Sequence, residues 1–155
     1  MVQAALFGLG LACGFVAPTA AQTGIDDRTV VNSRTGLGLS GFDPVAYFTD
    51  KMAKAGLPEL EYSRDGVIWR FISEGNRAAF MDNPDVYAPR FGGYDPVAIA
   101  RGISVPGHPL LWAVTGGRLY LFYDETARLA FLADPGRVIE IAERKWPDVA
   151  RAIGR

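Results

Sequence analysis

The chain has 155 residues, with 16 Lys plus Arg against 17 Asp plus Glu and an apolar content of 49%. That length suits one domain with a modest core. The balanced charge excludes the basic field needed to hold nucleic acid, and there is no acidic tail.

The first 21 residues contain no charged side chain. Ala4 to Ala17 is apolar, too short to span a bilayer comfortably, and Thr19-Ala20-Ala21 offers the small residues that a signal peptidase reads. We therefore read residues 1–21 as a secretory signal cleaved before Gln22, which implies a periplasmic or secreted protein. No Lys or Arg precedes the apolar run, which is atypical of such signals. Cys13 is the only cysteine and lies inside this signal; the sequence around it continues apolar, unlike a lipidation site. The mature chain is then free of thiols, which excludes disulfides, thiolate metal ligands and cysteine nucleophiles. It also carries no expected membrane span.

Residues 22–40 are polar, with Asp26, Asp27, Arg28, Asn32, Ser33 and Arg34, and their apolar residues keep no steady period. They read as a linker or loosely held arm.

A duplicated pattern begins at Gly41. Gly66 to Pro84 and Gly117 to Pro135 both fit Gly-x-aliphatic-aromatic-x-Phe-x-x-Glu-x-x-Arg-x-Ala-Phe followed by Pro, 51 residues apart. Gly41-Phe42-Asp43-Pro44-Val45-Ala46 and Gly93-Tyr94-Asp95-Pro96-Val97-Ala98 repeat 52 residues apart. Two independent features at nearly one spacing indicate duplication, with repeats at about 41–87 and 93–139. In each unit a hairpin turns at Asp65-Gly66 or Gly116-Gly117. Val67, Trp69 and Phe71 alternate with Ile68 and Arg70, as in a half-buried strand. Ser73 and Asp124 suit N-caps, Phe80 and Phe131 should face their own hairpins, and Pro84 and Pro135 should end the helices. A C-terminal helix is expected over about 137–146, with Val138, Ile141, Ala142 and Trp146 as its apolar stripe and a break before Pro147. The fold class is α+β: two duplicated β-hairpin–helix units packed as one small domain over 41–155, plus this helix.

Each Asp-Pro turn should present one carboxylate and one aromatic ring. If the duplicated units pack about a pseudo-twofold axis, Asp43 and Asp95 share a rim beside Tyr47 and Tyr94, with His108 entering from the next loop. These five are the candidate ligand-binding residues, and tyrosines with a polar tip, Tyr62 and Tyr87 included, suit a pocket lining. Asp43, Asp95 and His108 could supply a mixed oxygen and nitrogen site for a divalent metal. The competing reading gives both aspartates to turn chemistry and leaves His108 in solvent. Arg77 and Arg128 are either an anion clamp or partners of Glu74 and Glu125 on the helix surface, the latter being favoured. No phosphate loop, nucleophile elbow or acid–base pair stands out, so no catalytic residues are assigned. The reading is a small, exported, non-catalytic binding module whose ligand the sequence does not name, a small molecule or a metal ion being the candidates. A divalent-metal-handling protein and an enzyme of unknown reaction are the alternatives.

Gly41 to Phe48, Trp69-Arg70-Phe71, Asn76 to Phe80, Asn83-Pro84, Tyr87-Ala88-Pro89 and Phe91-Gly92-Gly93-Tyr94 together resemble the exported YHS-domain proteins of bacteria. The resemblance runs from Gly41 to about Pro147. It implies a small α+β module behind a signal peptide, and shorter YHS modules are associated with metal handling. Many relatives carry Cys or selenocysteine directly after Gly-Gly-Tyr, where this chain has Asp95. A thiol-based redox or soft-metal role therefore does not carry over.

Overall fold

The computed structural model describes residues 29–153; the expected signal sequence with Cys13 and the first part of the polar arm lie outside them. Among the described residues the chain forms six α-helices and two antiparallel hairpins, the expected α+β architecture. The first unit runs through α1 (Ala46–Thr49), β1 (Leu57–Arg64), β2 (Val67–Phe71), α2 (Glu74–Asp82) and α3 (Pro84–Tyr87). The second repeats it as α4 (Pro96–Ala100), β3 (His108–Thr115), β4 (Arg118–Phe122), α5 (Glu125–Ala133) and α6 (Pro135–Ile153).

The two units repeat each other in their turns, strand register and helix caps. Asp65 and Gly66 take φ of 52° and 78°, and Gly116 and Gly117 take 58° and 70°, the left-handed pairs that a tight hairpin turn requires. Both hairpins carry a bulge at the same place, between Leu57 and Glu61 and between His108 and Trp112. Ser73 accepts from the Asn76 amide and Asp124 from that of Ala127, capping α2 and α5. Asp43 donates its amide to Lys54 and Asp95 to Val105. Gly56 and Gly107 follow, and a side chain there is excluded: a Cβ would stand 2.4 Å from the Arg70 carbonyl carbon and 2.5 Å from Leu121 Cβ. Pro84 and Pro135 do close α2 and α5, but each also opens the next helix, where its missing N–H has no partner to lose.

Each unit has its own aromatic core. Phe80 lies 5.0 Å from Trp69 and 5.4 Å from Phe71; Phe131 lies 5.0 Å from Tyr120 and 5.1 Å from Phe122. Both are wholly buried, as expected of the anchors of their hairpins. Ahead of each Asp-Pro turn, Leu39-Ser40-Gly41 and Phe91-Gly92-Gly93 all take positive φ. A left-handed conformation costs a non-glycine residue about 1–2 kcal/mol. Both Leu39 and Phe91 are driven by it into the cores, where they are 4% and 5% exposed.

The units do not pack about a twofold axis. Leu119 and Leu121 on β4 join the first core beside Tyr47 and Val45, while Tyr120 and Phe122 serve the second. A twofold would send their counterparts Ile68 and Arg70 into the second core. Instead Ile68 is bridged to Leu37, and Arg70 pairs with Glu61 at 2.8 Å. Tyr47 meets Trp112 edge-on at 5.2 Å and donates its hydroxyl to the Pro109 carbonyl at 2.9 Å. The residue matching Pro109 is Pro58, which is exposed, and the one matching Tyr47 is Ile99, buried in the second core. The arrangement is head to tail, so each end needs its own cover.

Those covers correct two expectations. Residues 36–39 are not a loose linker: Gly38 donates to Ile68 and Ile68 to Gly36, both at 3.0 Å, and Leu37 and Leu39 are buried. The arm closes the open face of the first hairpin. At the other end α6 lies on Ile99, where the first unit receives a hairpin, with Trp146 5.6 Å from Phe91 and 6.0 Å from Tyr94. It does not break at Pro147 but continues to Ile153. An interior proline costs about 3 kcal/mol, and fully burying one Val or Ile returns about 1.5–3 kcal/mol. Val149 and Ala150 are buried beyond it and Ile153 packs on the same core, which offsets the loss.

Candidate functional site

The two repeated carboxylates are the buried charged groups among the described residues: Asp43 is fully buried and Asp95 is 2% exposed. Each lies before a proline that opens a short helical turn, and each reaches the end of its own second strand. Asp43 Oδ1 accepts from the amides of Val45 at 2.7 Å and Ala46 at 3.3 Å. Its Oδ2 accepts from the Ile72 amide at 2.8 Å and the Asn76 side-chain amide at 2.7 Å. A carboxylate offers about four lone-pair sites, so Asp43 is saturated.

Asp95 repeats this with one omission. Its Oδ1 accepts from Val97 at 2.7 Å and Ala98 at 3.4 Å, and its Oδ2 from the Tyr123 amide at 3.0 Å. The residue matching Asn76 is Ala127, which has no donor to give. A cavity of about 180 Å³ opens there, lined by Asp95 and Ala127. Val97, Ile103, Val105 and Ala130 supply apolar wall, and Arg101, Thr126 and Asp124 bring polar groups to it. Arg101 is exposed and forms no salt bridge among the described residues.

The shared rim expected of Asp43, Asp95, Tyr47, Tyr94 and His108 does not form. Asp43 is spent on N–H groups of its own unit, all the donors on Asp95 come from its own unit too, and the head-to-tail packing sets the two units in different surroundings. Tyr47 is wholly buried, and burial together with the nearby Asp43 carboxylate pushes its hydroxyl pKa well above the usual tyrosine range. Tyr94 lies half-buried against Trp146. His108 is exposed, and its Nδ1 accepts from the Leu110 amide at 3.2 Å. No group of three His, Cys, Asp or Glu side chains among the described residues is placed to hold a metal ion. The divalent-metal site on Asp43, Asp95 and His108 is therefore overturned by geometry: Asp43 has no oxygen left to give. Tyr62 and Tyr87 pack on Phe80 and Phe48. Arg77 and Arg128 pair with Glu74 and Glu125, each at 2.6 Å, as surface ion pairs.

A second cleft, about 150 Å³, lies between the first hairpin and the Phe91 turn, floored by Trp69, Phe80 and Phe91. Its two arginines already have carboxylate partners: Arg64 faces Asp65 and Asp85, and Arg90 faces Glu143. The Asp95 cavity is the better candidate, because there a buried charged group lacks a donor that its twin possesses. Of its lining, the sequence marks only Asp95 as a candidate binding residue, and Asp124 as an N-cap. Arg101, Ile103 and Val105 carry no motif, whereas Asn76 opposite Ala127 is visible once the repeats are aligned.

No family model, curated protein or solved structure matches this chain.

Proposed function

We propose that this chain is an exported, non-catalytic binding module of the YHS type, which takes a small ligand in the Asp95 cavity. One observation carries the reading. The duplicated carboxylate is saturated in the first unit, but in the second it is one donor short and opens on a cavity several times the roughly 30 Å³ share of one water. A buried acceptor left incomplete is costly, so a ligand that supplies the donor gains affinity there. Export is supported by the uncharged apolar run before Gln22; intact Met1 on the purified protein would contradict it.

Binding is tested by screening a chemically diverse set of small molecules against the full chain and following backbone amide shifts. Hits should move Val97, Tyr123 and Ala127 together. Hits that leave those amides still, or that are converted to products, would overturn the reading.

A further inference from the structure

The contrast between the two carboxylates also bears on which ligand chemistry the cavity takes, an inference that rests on the reading just proposed. We propose that the cavity binds a small zwitterion of the amino-acid type. Its ammonium sits on Asp95 Oδ2, its carboxylate beside it reaches Arg101, and its short aliphatic side chain lies on the apolar wall.

The first unit shows the geometry that Oδ2 completes. Asp43 Oδ2 takes one backbone amide and one side-chain N–H, the latter at 2.7 Å. Asp95 Oδ2 has only the backbone amide of Tyr123. The missing partner is therefore an N–H or O–H donor at the position Asn76 fills in the first unit. All three donors on Asp95 are neutral backbone groups. A cationic donor gives a charge-assisted bond about twice as strong as a neutral one, which favours an ammonium. A simple monoamine would also meet the positive charge of Arg101, which lines the same cavity, while the Asp124 carboxylate there is engaged in capping α5 through the Ala127 amide. A carboxylate on the ligand turns that repulsion into attraction, and a guanidinium suits a carboxylate by its forked geometry. The aliphatic wall of Val97, Ile103, Val105 and Ala130 matches an apolar body and offers nothing to a polar one.

Three probes of nearly one shape separate the parts: valine, isobutylamine without the carboxylate, and isovalerate without the ammonium. They are titrated into the full chain by calorimetry and amide shifts, alongside Ala127→Asn, which rebuilds the first unit's amide inside the cavity, and Arg101→Gln. Valine should bind at least about tenfold more tightly than either fragment, the loss expected when one charge-assisted interaction is removed. Ala127→Asn should abolish valine binding, and Arg101→Gln should bring valine down to isobutylamine. If isobutylamine equals valine and Ala127→Asn abolishes both, the site stands and the zwitterion is wrong. If isovalerate binds best, the ammonium on Asp95 is wrong. If valine does not bind, or Ala127→Asn leaves its binding unchanged, the inference fails outright, whatever the wider screen finds in the same cavity.

Discussion

Exchanging the one residue that distinguishes the two carboxylates should change stability with opposite sign in the two units. Asn76→Ala removes the 2.7 Å donor from Asp43 Oδ2. A hydrogen bond to a charged group contributes about 1.5–3 kcal/mol, and Asn→Ala in a helix returns about 0.6 kcal/mol of propensity. The net loss is about 1–2.5 kcal/mol, reduced if water enters the partly exposed site that Asn76 leaves. Ala127→Asn makes the reverse change. It gains a bond of the same kind to Asp95, gives up the propensity, and spends about 1 kcal/mol of side-chain entropy. The outcome is about 0–1.5 kcal/mol of stabilisation, against the usual direction for an Ala→Asn change inside a helix. Urea unfolding at neutral pH measures both. With a slope of about 2 kcal/mol/M, the first midpoint should fall by about 0.5–1.2 M and the second should hold or rise, both at unchanged slope. If both variants lose stability alike, the side chain at 127 does not reach Asp95, and the equivalence on which the site rests is wrong.

Phe80→Ala and Phe131→Ala should each cost about 3–5 kcal/mol, since both rings are wholly buried in equivalent cores; a loss below about 1 kcal/mol at either, by urea unfolding, would contradict the packing. Stability should fall as pH rises above about 10, the ordinary tyrosine value. Burial and the Asp43 carboxylate keep Tyr47 protonated in the fold where the unfolded chain would release the proton, so the stability is fully present below that pH and lost above it. Tyr120 is raised too, first by burial, so Tyr47→Phe should flatten this alkaline slope without abolishing it in urea unfolding followed from pH 8 to 11. An unchanged slope in that variant would refute the assignment.

The sequence by itself determined the repeating unit, because every signal that defines it is local. Asp65-Gly66 and Gly116-Gly117 select a hairpin turn, Ser73 and Asp124 cap the helix that follows, and Phe80 and Phe131 fall on the face turned to the hairpin. How the units meet was not local. β4 is buried on both faces, so the alternation that marks β2 is lost, and nothing within a strand tells which neighbour covers its second face. The arm over residues 36–39 has no period to read, because it is held by a single bridge to Ile68 and two buried leucines. Pro147 predicts a break, which a helix escapes only when packing beyond it outweighs one missing hydrogen bond. The site divided the same way. Asp43 and Asp95 stand out in the sequence as turn carboxylates. Only the tertiary structure brings the amides of Ile72 and Tyr123 onto them from 29 and 28 residues away, and so decides that one is saturated and the other is not.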